Sequence, residues 1–156
     1  MEFSEFDVAR KTINSAGYDF KCPYNIDIHP GEWVKINLGV KLTDDDCPIT
    51  TLASPRPDLG EDVYEEKEYV CRKWVMLLFP RSSLGMRYGL RFSNTVGVID
   101  MDYRNNIFVD VTADTEFTLK KGERFCQGII VPFATFEDEL VPTEERHGGM
   151  GSTGNF

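Results

Sequence analysis

The residues best suited to catalysis lie in the stretch Asn94–Ile107, which has the sequence NTVGVIDMDYRNNI. Asp100 directly follows the apolar run Val96–Ile99, so we expect its carboxylate at the edge of a buried wall, close to the ring of Tyr103. A carboxylate in such a place can act as a general base. Because short DxDY segments also occur in ordinary acidic turns, this assignment depends on the rest of the chain.

The same stretch predicts a β-hairpin. Val96–Ile99 and Ile107–Val109 are short runs rich in β-branched residues, and a connection containing asparagines separates them. We therefore expect these two runs to pair with each other, with Asp100 at the end of the first strand.

A second candidate site follows the apolar run Trp74–Phe79, which predicts a buried strand that ends at Pro80. Arg81, Ser82 and Ser83 come next. A planar guanidinium beside two hydroxyls suits an oxyanion or a phosphate. A short helix that begins at one of the two serines is compatible with this interpretation, because N–H groups at helix starts also bind anions.

Two further polar residues stand among apolar neighbours. Asp19 lies between two aromatic residues shortly after Gly17, whose lack of a side chain permits close backbone approach. Gln127 is the lone amide in the apolar run Arg124–Phe133, and it needs hydrogen-bond partners if it is buried. Each of the two residues has either a functional or a structural role. The structural alternative for Asp19 is a polar residue that faces outward from a strand.

The stretch Pro142–Gly154 near the carboxyl terminus is rich in glycine and hydroxyl groups. Such a segment has high chain entropy and no core of its own, so one interpretation is disorder. The other is an arm that closes over a phosphate chain. Its backbone N–H groups, Ser152 and Thr153 would then be the donors, and Arg146 the countercharge.

The remaining chain predicts an all-β fold, since no segment with helical periodicity has convincing length. Residues 6–13 and Glu32–Leu42 are expected strands. The expected buried side of the second strand consists of Trp33, Ile36, Leu38, Val40 and Leu42. Residues 43–72 contain acidic clusters and three prolines, which indicates an excursion from the core. This excursion is a lid, a partner-binding arm or a tolerated insertion.

Composition narrows the classes of partner. The chain has 156 residues, enough for one domain, and a formal net charge of −9. We expect no nucleic-acid partner, because an acidic protein repels that backbone, and a polyanionic ligand would need local arginines or a divalent metal. No apolar run approaches the ~18 residues of a membrane span. Four cysteines without CxxC spacing, and no signal-peptide pattern, predict a soluble, cytoplasmic protein with free thiols.

Five segments of the chain together resemble the five motifs of the trimeric dUTP pyrophosphatase (dUTPase) family, in the same order. They are AGYD (Ala16–Asp19), PRSS (Pro80–Ser83), NxVGVIDxDYRxN (Asn94–Asn106), GERxxQ (Gly122–Gln127) and GGxGSTG (Gly148–Gly154). A single tetrapeptide carries little weight. Five motifs that occur in the family's order, from one end of the chain to the other, indicate that the whole chain resembles this family.

The resemblance implies a fold, an activity and an assembly. The expected fold is a distorted jelly-roll of antiparallel strands (the dUTPase-like β-clip). Residues 1–141 form the β domain, 43–72 its acidic insertion and 142–156 a flexible C-terminal arm. The expected activity is hydrolysis of dUTP to dUMP and pyrophosphate with Mg²⁺, which limits uracil incorporation into DNA and supplies dUMP for dTMP synthesis. The expected assembly is a homotrimer whose active sites are shared between subunits.

The resemblance also implies residue roles. Asp100 matches the general base that activates the water attacking the α-phosphorus, and Tyr103 matches the ring that lies against the deoxyribose. Asn94 matches the position that contacts uracil. Asp19 matches the carboxylate that holds water ligands of the metal. The other implied substrate-binding positions are Arg81, Ser82, Ser83, Val98 and Gln127 in the β domain, and Arg146, Met150, Gly151, Ser152 and Thr153 in the arm.

The chain departs from the family pattern in four places. Met150 stands where the arm usually has a phenylalanine that stacks on uracil. Glu145 occupies the usual arginine position, and Arg146 is one residue nearer to the stacking position. Asn105 replaces the usual glycine after the tyrosine–arginine pair, a turn position where asparagine tolerates positive φ. Residues 43–72 are longer than the usual connection.

Two alternative functions are considered for this chain. A dCTP deaminase shares the fold and has similar serine-rich and GxID segments. Such an enzyme uses a catalytic glutamate where this chain has Asp110, and it lacks the GGxGSTG arm. The second alternative is a regulatory protein that senses the nucleotide and signals through residues 43–72.

Overall fold

The structure, a computed structural model, describes residues 2–3, 10–43, 49–55, 64–70 and 73–136. These residues form thirteen β-strands and one α-helix, so the all-β prediction is confirmed. The strands are β1 (Glu2–Phe3), β2 (Tyr18–Lys21), β3 (Ile26–Ile28), β4 (Val34–Asn37), β5 (Val40–Lys41), β6 (Ile49–Pro55), β7 (Tyr64–Val70), β8 (Trp74–Pro80), β9 (Arg91–Phe92), β10 (Gly97–Asp100), β11 (Phe108–Thr112), β12 (Phe117–Leu119) and β13 (Arg124–Pro132). The helix, α1, spans Ser82–Tyr88, and no helix among the described residues is long and apolar enough to cross a membrane.

The strands pair in a nested order. β2 pairs with β13, β3 with β12 and β4 with β11, and all three pairs are antiparallel. The earlier a strand occurs in the first half of the chain, the later its partner occurs in the second half. This nested antiparallel pairing is typical of a jelly-roll. The two largest sheets have the strand orders β10-β8-β13-β2 and β4-β11-β9. The expected antiparallel jelly-roll is confirmed.

Alternating side chains place the core between the sheets. In β8 every second residue is buried, namely Trp74, Met76 and Leu78, as the period of two in a strand requires. The strand predicted for residues 74–79 is therefore confirmed, and it ends at Pro80. Fully buried side chains from five other strands complete this core: Phe20, Ile28, Ile36, Leu119 and Phe125.

The strand predicted for Glu32–Leu42 is interrupted by a turn. β4 ends at Asn37, whose Oδ1 accepts a hydrogen bond from Gly39 N at 2.9 Å, and Gly39 has a φ of 67°. Glycine adopts this conformation without a steric penalty. The prediction that Trp33 is buried is wrong, since 53% of its surface is exposed; it precedes β4 and lies outside the paired region. The other residues predicted for the buried side are buried: Ile36, Leu38, Val40 and Leu42.

The opening strand predicted for residues 6–13 is wrong in its described part, residues 10–13, which form a turn. Ser15 N donates a hydrogen bond to Thr12 O at 3.1 Å, and the hydroxyl oxygens of the same two residues lie 2.7 Å apart. Hydroxyl side chains that bond locally compete with strand pairing. Residues 6–9 lie outside the described residues.

The predicted hairpin between Val96–Ile99 and Ile107–Val109 is also wrong. β10 pairs with β8 in the first large sheet, whereas β11 pairs with β4 and β9 in the second. Ile107 N donates to Val40 O at 3.0 Å, and Ile107 O accepts from Leu38 N at 2.9 Å, so this segment is bonded to the chain that follows β4. Ile107 and Val109 are buried, whereas Val96 and Ile99 are half-buried and Val98 is exposed, so the two runs do not share one buried face that would pair them.

The excursion at residues 43–72 contains a β-hairpin of its own. β6 and β7 pair antiparallel, from Ile49 opposite Val70 to Pro55 opposite Tyr64. Within the described part of the chain, neither strand pairs with any other. The weak periodicity of this acidic segment did not predict these strands. Apart from β6, β7 and Thr43, residues 43–72 lie outside the described residues.

Cys22 and Cys126 are buried free thiols, as predicted. Burial raises the pKa of Cys22 to about 11. Its Sγ donates a hydrogen bond to Tyr24 O at 3.0 Å. Burial raises the pKa of Cys126 as well. Because the thiolate is the reactive form, both side chains serve as small core residues. Cys47 and Cys71 lie outside the described residues.

The buried hydroxyl of Thr112 allows a prediction about the stability of the protein. Its hydroxyl is buried in β11 and has no hydrogen-bond partner among the described residues. Thr112→Val keeps the branched shape and removes the unsatisfied group, so we expect the free energy of unfolding to rise by about 1 kcal/mol. Urea denaturation at one fixed protein concentration measures this change. Thr118→Val is the control, because the exposed Thr118 hydroxyl donates to Asp27 Oδ1 at 2.7 Å, and no gain is expected there. A destabilised Thr112→Val protein would contradict the prediction.

Candidate active site

Arg81 is fixed at the junction of β8 and α1. Its backbone is extended (φ −71°, ψ 134°), and its N–H donates to Phe125 O at 2.9 Å in the neighbouring strand β13. Its own carbonyl accepts hydrogen bonds from two N–H groups of α1. The short helix predicted at this point is confirmed, and Ser82 and Ser83 are exposed in its first turn.

Asp19, in β2, is buried, with 8% of its surface exposed. Its Oδ2 accepts a hydrogen bond from Arg124 Nη1 at 2.8 Å, and its Oδ1 lies 3.3 Å from Arg81 Nε. The interpretation of Asp19 as an outward-facing polar residue is therefore wrong. One carboxylate orients two guanidinium groups, because charge-assisted hydrogen bonds restrict the rotamers of both arginines.

Gln127 lies beside Asp19 in the sheet. In β13 it is opposite Asp19 on one side and opposite Phe79 on the other. Its side chain passes directly over Gly17, since a Cβ placed on that glycine would lie 2.7 Å from Gln127 Oε1. The close approach predicted at Gly17 is confirmed, and a larger residue there would displace the amide.

A surface hollow of about 350 Å³ is formed beside these residues. Its lining consists of Lys21, Arg81, Ser83, Leu84, Arg87, Gly122, Glu123 and Arg124. Four of these side chains are cationic and one is a carboxylate, in a chain whose net charge is −9. This local positive field is what a polyanionic ligand would require of an acidic protein.

Asp100 is the last residue of β10, which lies at the edge of its sheet and pairs with β8. Its backbone carbonyl accepts a hydrogen bond from Tyr103 N at 3.0 Å, so the chain turns back at this point. Tyr103 is buried, and its hydroxyl donates to Asn106 O at 3.1 Å. Asp100 is half-buried at the end of the apolar run, as predicted, but the expectation that this run is a buried wall is wrong, since Val98 is 59% exposed and Val96 and Ile99 are half-buried.

The turn that contains Asn94 is strained. Val96 N donates to Asn94 O at 2.6 Å across Thr95, whose φ is 64°. Three-residue turns with positive φ at the centre are rare, and this conformation is unusual for a β-branched residue. Among the described residues, Thr95 alone has positive φ without being glycine, so the positive φ considered for Asn105 is not found. Asn94 and Val98 are both exposed.

The two groups of predicted site residues lie far apart within one chain. Asp19 and Asp100 are on the outer strands β2 and β10 of the same sheet, three interstrand steps apart. Asp19 is level with Phe79 of β8, whereas Asp100 is level with Val75. With about 4.8 Å between strands and about 3.3 Å per residue, the Cα atoms of the two residues are roughly 20 Å apart. One chain therefore does not bring Asp100 to its own hollow.

Two carboxylates are close to the hollow: Glu123 lines it, and Asp19 lies behind its lining residues Arg81 and Arg124. The side chain of Asp19 is partly accessible, and each carboxylate oxygen has a lone pair beyond those that the arginines use. Within the described ranges, no group of three or more His, Cys, Asp or Glu side chains can hold a metal ion. This donor set fits Mg²⁺ that is held mostly by water and phosphate oxygens, with Asp19 bonded to its water ligands.

The predicted arm lies outside the described residues, together with its candidate contacts. These are Arg146, Met150, Gly151, Ser152 and Thr153. Their roles stay predictions, as do the roles assigned by resemblance to the residues described above.

The structure adds three basic residues to the predicted phosphate site: Lys21, Arg87 and Arg124. Arg124 is 105 positions from its partner Asp19, so no local signal reveals that ion pair. Arg87 follows Ser83 by four residues, a spacing that places both on one face of a helix. Lys21 follows Asp19 by two residues, which places both on the same face of a strand. Sequence spacing could therefore have indicated Lys21 and Arg87 as neighbours of Asp19 and Ser83, if a strand and a helix had been assumed at these positions.

Comparison with known proteins connects this chain to one family. A family model described as dUTPase matches residues 70–154. The deoxyuridine 5'-triphosphate nucleotidohydrolase of Lactococcus lactis is 34% identical, over 93% of this chain and 85% of its own length. The protein of the same name from Paraburkholderia phymatum is 40% identical, over 94% of this chain and 87% of its own length.

A solved structure agrees with these sequence matches. The crystal structure of the dUTPase from Streptococcus mutans is 28% identical in sequence and covers 83% of this chain and 88% of its own, with a TM-score of 0.57. The sequence motifs, the relatives that match over most of their length and the fold agree with one another. The chain belongs to the dUTPase family.

Proposed function

We propose that this member of the dUTPase family hydrolyses dUTP to dUMP and pyrophosphate. The observation that carries the proposal is the cationic hollow, in which Asp19 orients Arg81 and Arg124. Enzymatic phosphoryl transfer depends mainly on positioning and on neutralising charge. An acidic chain that concentrates cations in one hollow is suited to a triphosphate, and family membership supplies the identity of the nucleotide.

In the proposed reaction, Asp100 takes a proton from a water molecule whose oxygen attacks the α-phosphorus. The bond from that phosphorus to the bridging oxygen breaks, pyrophosphate leaves, and dUMP keeps the oxygen of the water. Ser82, Ser83 and Gln127 donate hydrogen bonds to phosphate oxygens, and Arg81 stabilises the charge that develops on the leaving group. Tyr103 lies against the deoxyribose. Asn94 and Val98, on the same segment, contact the uracil.

The proposal includes Mg²⁺, which when bound neutralises phosphate oxygens as a Lewis acid. Asp19 is the residue that would bond its water ligands. Because two arginines fix the Asp19 carboxylate, its oxygens are rigid acceptors. Its place beside the hollow supports this role.

We propose that the active site forms between copies of the chain, in a homotrimer. The roughly 20 Å between Asp19 and Asp100 within one chain supports this assembly, because no single α-phosphate can contact both regions. Asp100 of one copy would then face the hollow of another. Residues 142–156 would close over the nucleotide as an arm. Its proposed contacts are Arg146 and the donors Ser152 and Thr153 for the phosphates, and Met150 and Gly151 for the base.

The proposed role in the cell is to limit uracil incorporation into DNA and to supply dUMP for dTMP synthesis. We propose a cytoplasmic location. The free thiols of Cys22 and Cys126 support it, since a reducing compartment keeps cysteines unpaired.

A product assay tests the proposed activity. The protein is incubated with Mg²⁺ and either dUTP, dTTP or dCTP, and pyrophosphate, nucleoside monophosphate and ammonia are measured. We expect equal amounts of pyrophosphate and dUMP from dUTP, with kcat/KM at least about 100-fold above that for the other two nucleotides. Ammonia from dCTP would instead support a deaminase, and the absence of pyrophosphate from dUTP would overturn the proposal.

A further inference from the structure

We infer that Thr95 is a positioning residue, and that its strained turn favours uracil over cytosine at Asn94. This inference rests on the dUTP hydrolysis proposed above, in which Asn94 contacts the base. Thr95 itself has no role in that proposal. Its backbone directs the carbonyl of Asn94 away from the base, so the main chain of Asn94 offers the base only a hydrogen-bond donor.

The turn at Thr95 connects the two largest sheets over a short stretch of chain. On one side, Ser93 N donates to Asp110 O at 3.0 Å, which fixes the chain to β11 of the second sheet. On the other side, Gly97 is opposite Leu78 of β8 in the first sheet. The connection between these fixed points is therefore restrained at both ends. Such surroundings allow a strained backbone conformation to persist.

Stability does not explain a threonine at this position. Thr95 is exposed, and its side chain makes no hydrogen bond within the described part of the chain. Its φ of 64° is unfavourable for a β-branched residue, whereas glycine adopts this conformation freely. Glycine also adopts many other conformations, so a glycine here would leave the turn less confined. Threonine has far fewer alternatives, and its turn is therefore restricted to one shape.

The shape of the turn determines which polar groups Asn94 presents. Val96 N donates to Asn94 O at 2.6 Å, so this carbonyl is held facing Val96. The backbone N–H of Asn94 and its side-chain amide have no hydrogen-bond partner among the described residues, and Asn94 is exposed. The amide both donates and accepts, so it can turn to suit either kind of partner. The backbone N–H can only donate, and it is therefore the selective group.

Uracil and cytosine differ in the group that such a donor meets. The O4 atom of uracil accepts a hydrogen bond, whereas cytosine has an amino group in its place, which donates. A fixed N–H bonds the first base and faces another donor in the second. In a relaxed turn, the freed carbonyl of Asn94 would be able to rotate and accept from the amino group of cytosine. Thymine has the same polar edge as uracil, so the turn does not contribute to its exclusion.

Competition assays with the full-length protein test this inference. The KM of dUTP is measured by pyrophosphate release in the presence of Mg²⁺, and the inhibition constants (Ki) of dCTP and dTTP are measured against it. For Thr95→Gly, we expect the ratio of the dCTP Ki to the dUTP KM to fall by about tenfold, the scale of one hydrogen bond. The corresponding dTTP ratio and the kcat for dUTP should change by less than about threefold on the same scale, because neither depends on the Asn94 carbonyl.

Two further variants separate the shape of the turn from other effects. Thr95→Val keeps the branched side chain and removes only the hydroxyl, so both ratios should stay at their wild-type values. Gly31→Ala introduces strain in the connection between β3 and β4, where φ is 80° and an added Cβ meets nothing within 4 Å. It should lower the urea midpoint of unfolding and leave both ratios unchanged.

The outcomes distinguish this inference from the function on which it rests. If the wild-type protein releases no pyrophosphate from dUTP, the proposed function itself fails. If the wild type is active, three results would overturn the role of Thr95 alone. They are an unchanged dCTP ratio in Thr95→Gly, an equal fall of the dTTP ratio in that variant, and the same loss of discrimination against dCTP in Thr95→Val or Gly31→Ala.

Discussion

Asp100→Asn is expected to lower kcat for dUTP hydrolysis by about 100- to 10,000-fold, the usual contribution of a general base. Asparagine has nearly the shape of aspartate but cannot accept the proton of the attacking water. The backbone carbonyl at this position would still bond Tyr103 N, so the turn should be preserved. The Kd of the imido analogue of dUTP should therefore change little, and the loss should appear in single-turnover rates rather than in binding.

Asp102→Asn is the matched control for this experiment. Asp102 is two residues away and is exposed, and the same charge is removed. We expect its kcat to stay within about threefold of wild type, as for a surface charge without a role in proton transfer. Wild-type turnover by Asp100→Asn would disprove the assignment of the base, and an equal loss in both variants would point to a general charge effect instead.

Two inactive variants should restore activity when they assemble together. Asp100→Asn lacks the base, and Arg81→Gln lacks a cation of the hollow while its amide can still bond Asp19. If each site combines Asp100 of one chain with Arg81 of another, an equal mixture contains intact sites. About one quarter of the sites should then be complete in a randomly mixed closed oligomer. Co-expression with two affinity tags, followed by the pyrophosphate assay, measures the recovered kcat.

The double variant Arg81→Gln/Asp100→Asn provides the control. Mixed with either single variant, it leaves no combination in which both groups are intact, so no recovery is expected. A mixed assembly of confirmed mass that recovers no activity would refute the shared site. Light scattering gives that mass, and a trimer is the expected result.

Local features of the sequence predicted the elements that local physics determines. The continuous apolar run of β8, stopped by Pro80, and the short helix after Arg81 were both predictable, because proline and a hydrophobic run act within a few residues. The close approach at Gly17 was predictable for the same reason. The position of Asp100 at the end of an apolar strand was also correct.

Features that depend on distant parts of the chain were not predictable in this way. The turn signals around Tyr103 correctly indicated a change of direction, but the partners of β10 and β11 are strands from separate sheets. The sequence did not decide whether Asp19 is a surface residue or a functional residue, because its partner Arg124 comes more than a hundred residues later. Trp33 was predicted to be buried from the alternation of its segment, yet it precedes β4 and is exposed. The five motifs nevertheless identified the family, because their order spans the whole chain.

The nested strand pairing has a consequence for biosynthesis. β2, β3 and β4 emerge from the ribosome well before their partners β11, β12 and β13 are translated. The nascent polypeptide therefore exposes the apolar side chains of Phe20, Ile28 and Ile36 until most of the chain has been made. Exposed apolar strands of this kind are what chaperones bind, and the sheet that holds Asp19 and Arg124 can close only after β13 has been made.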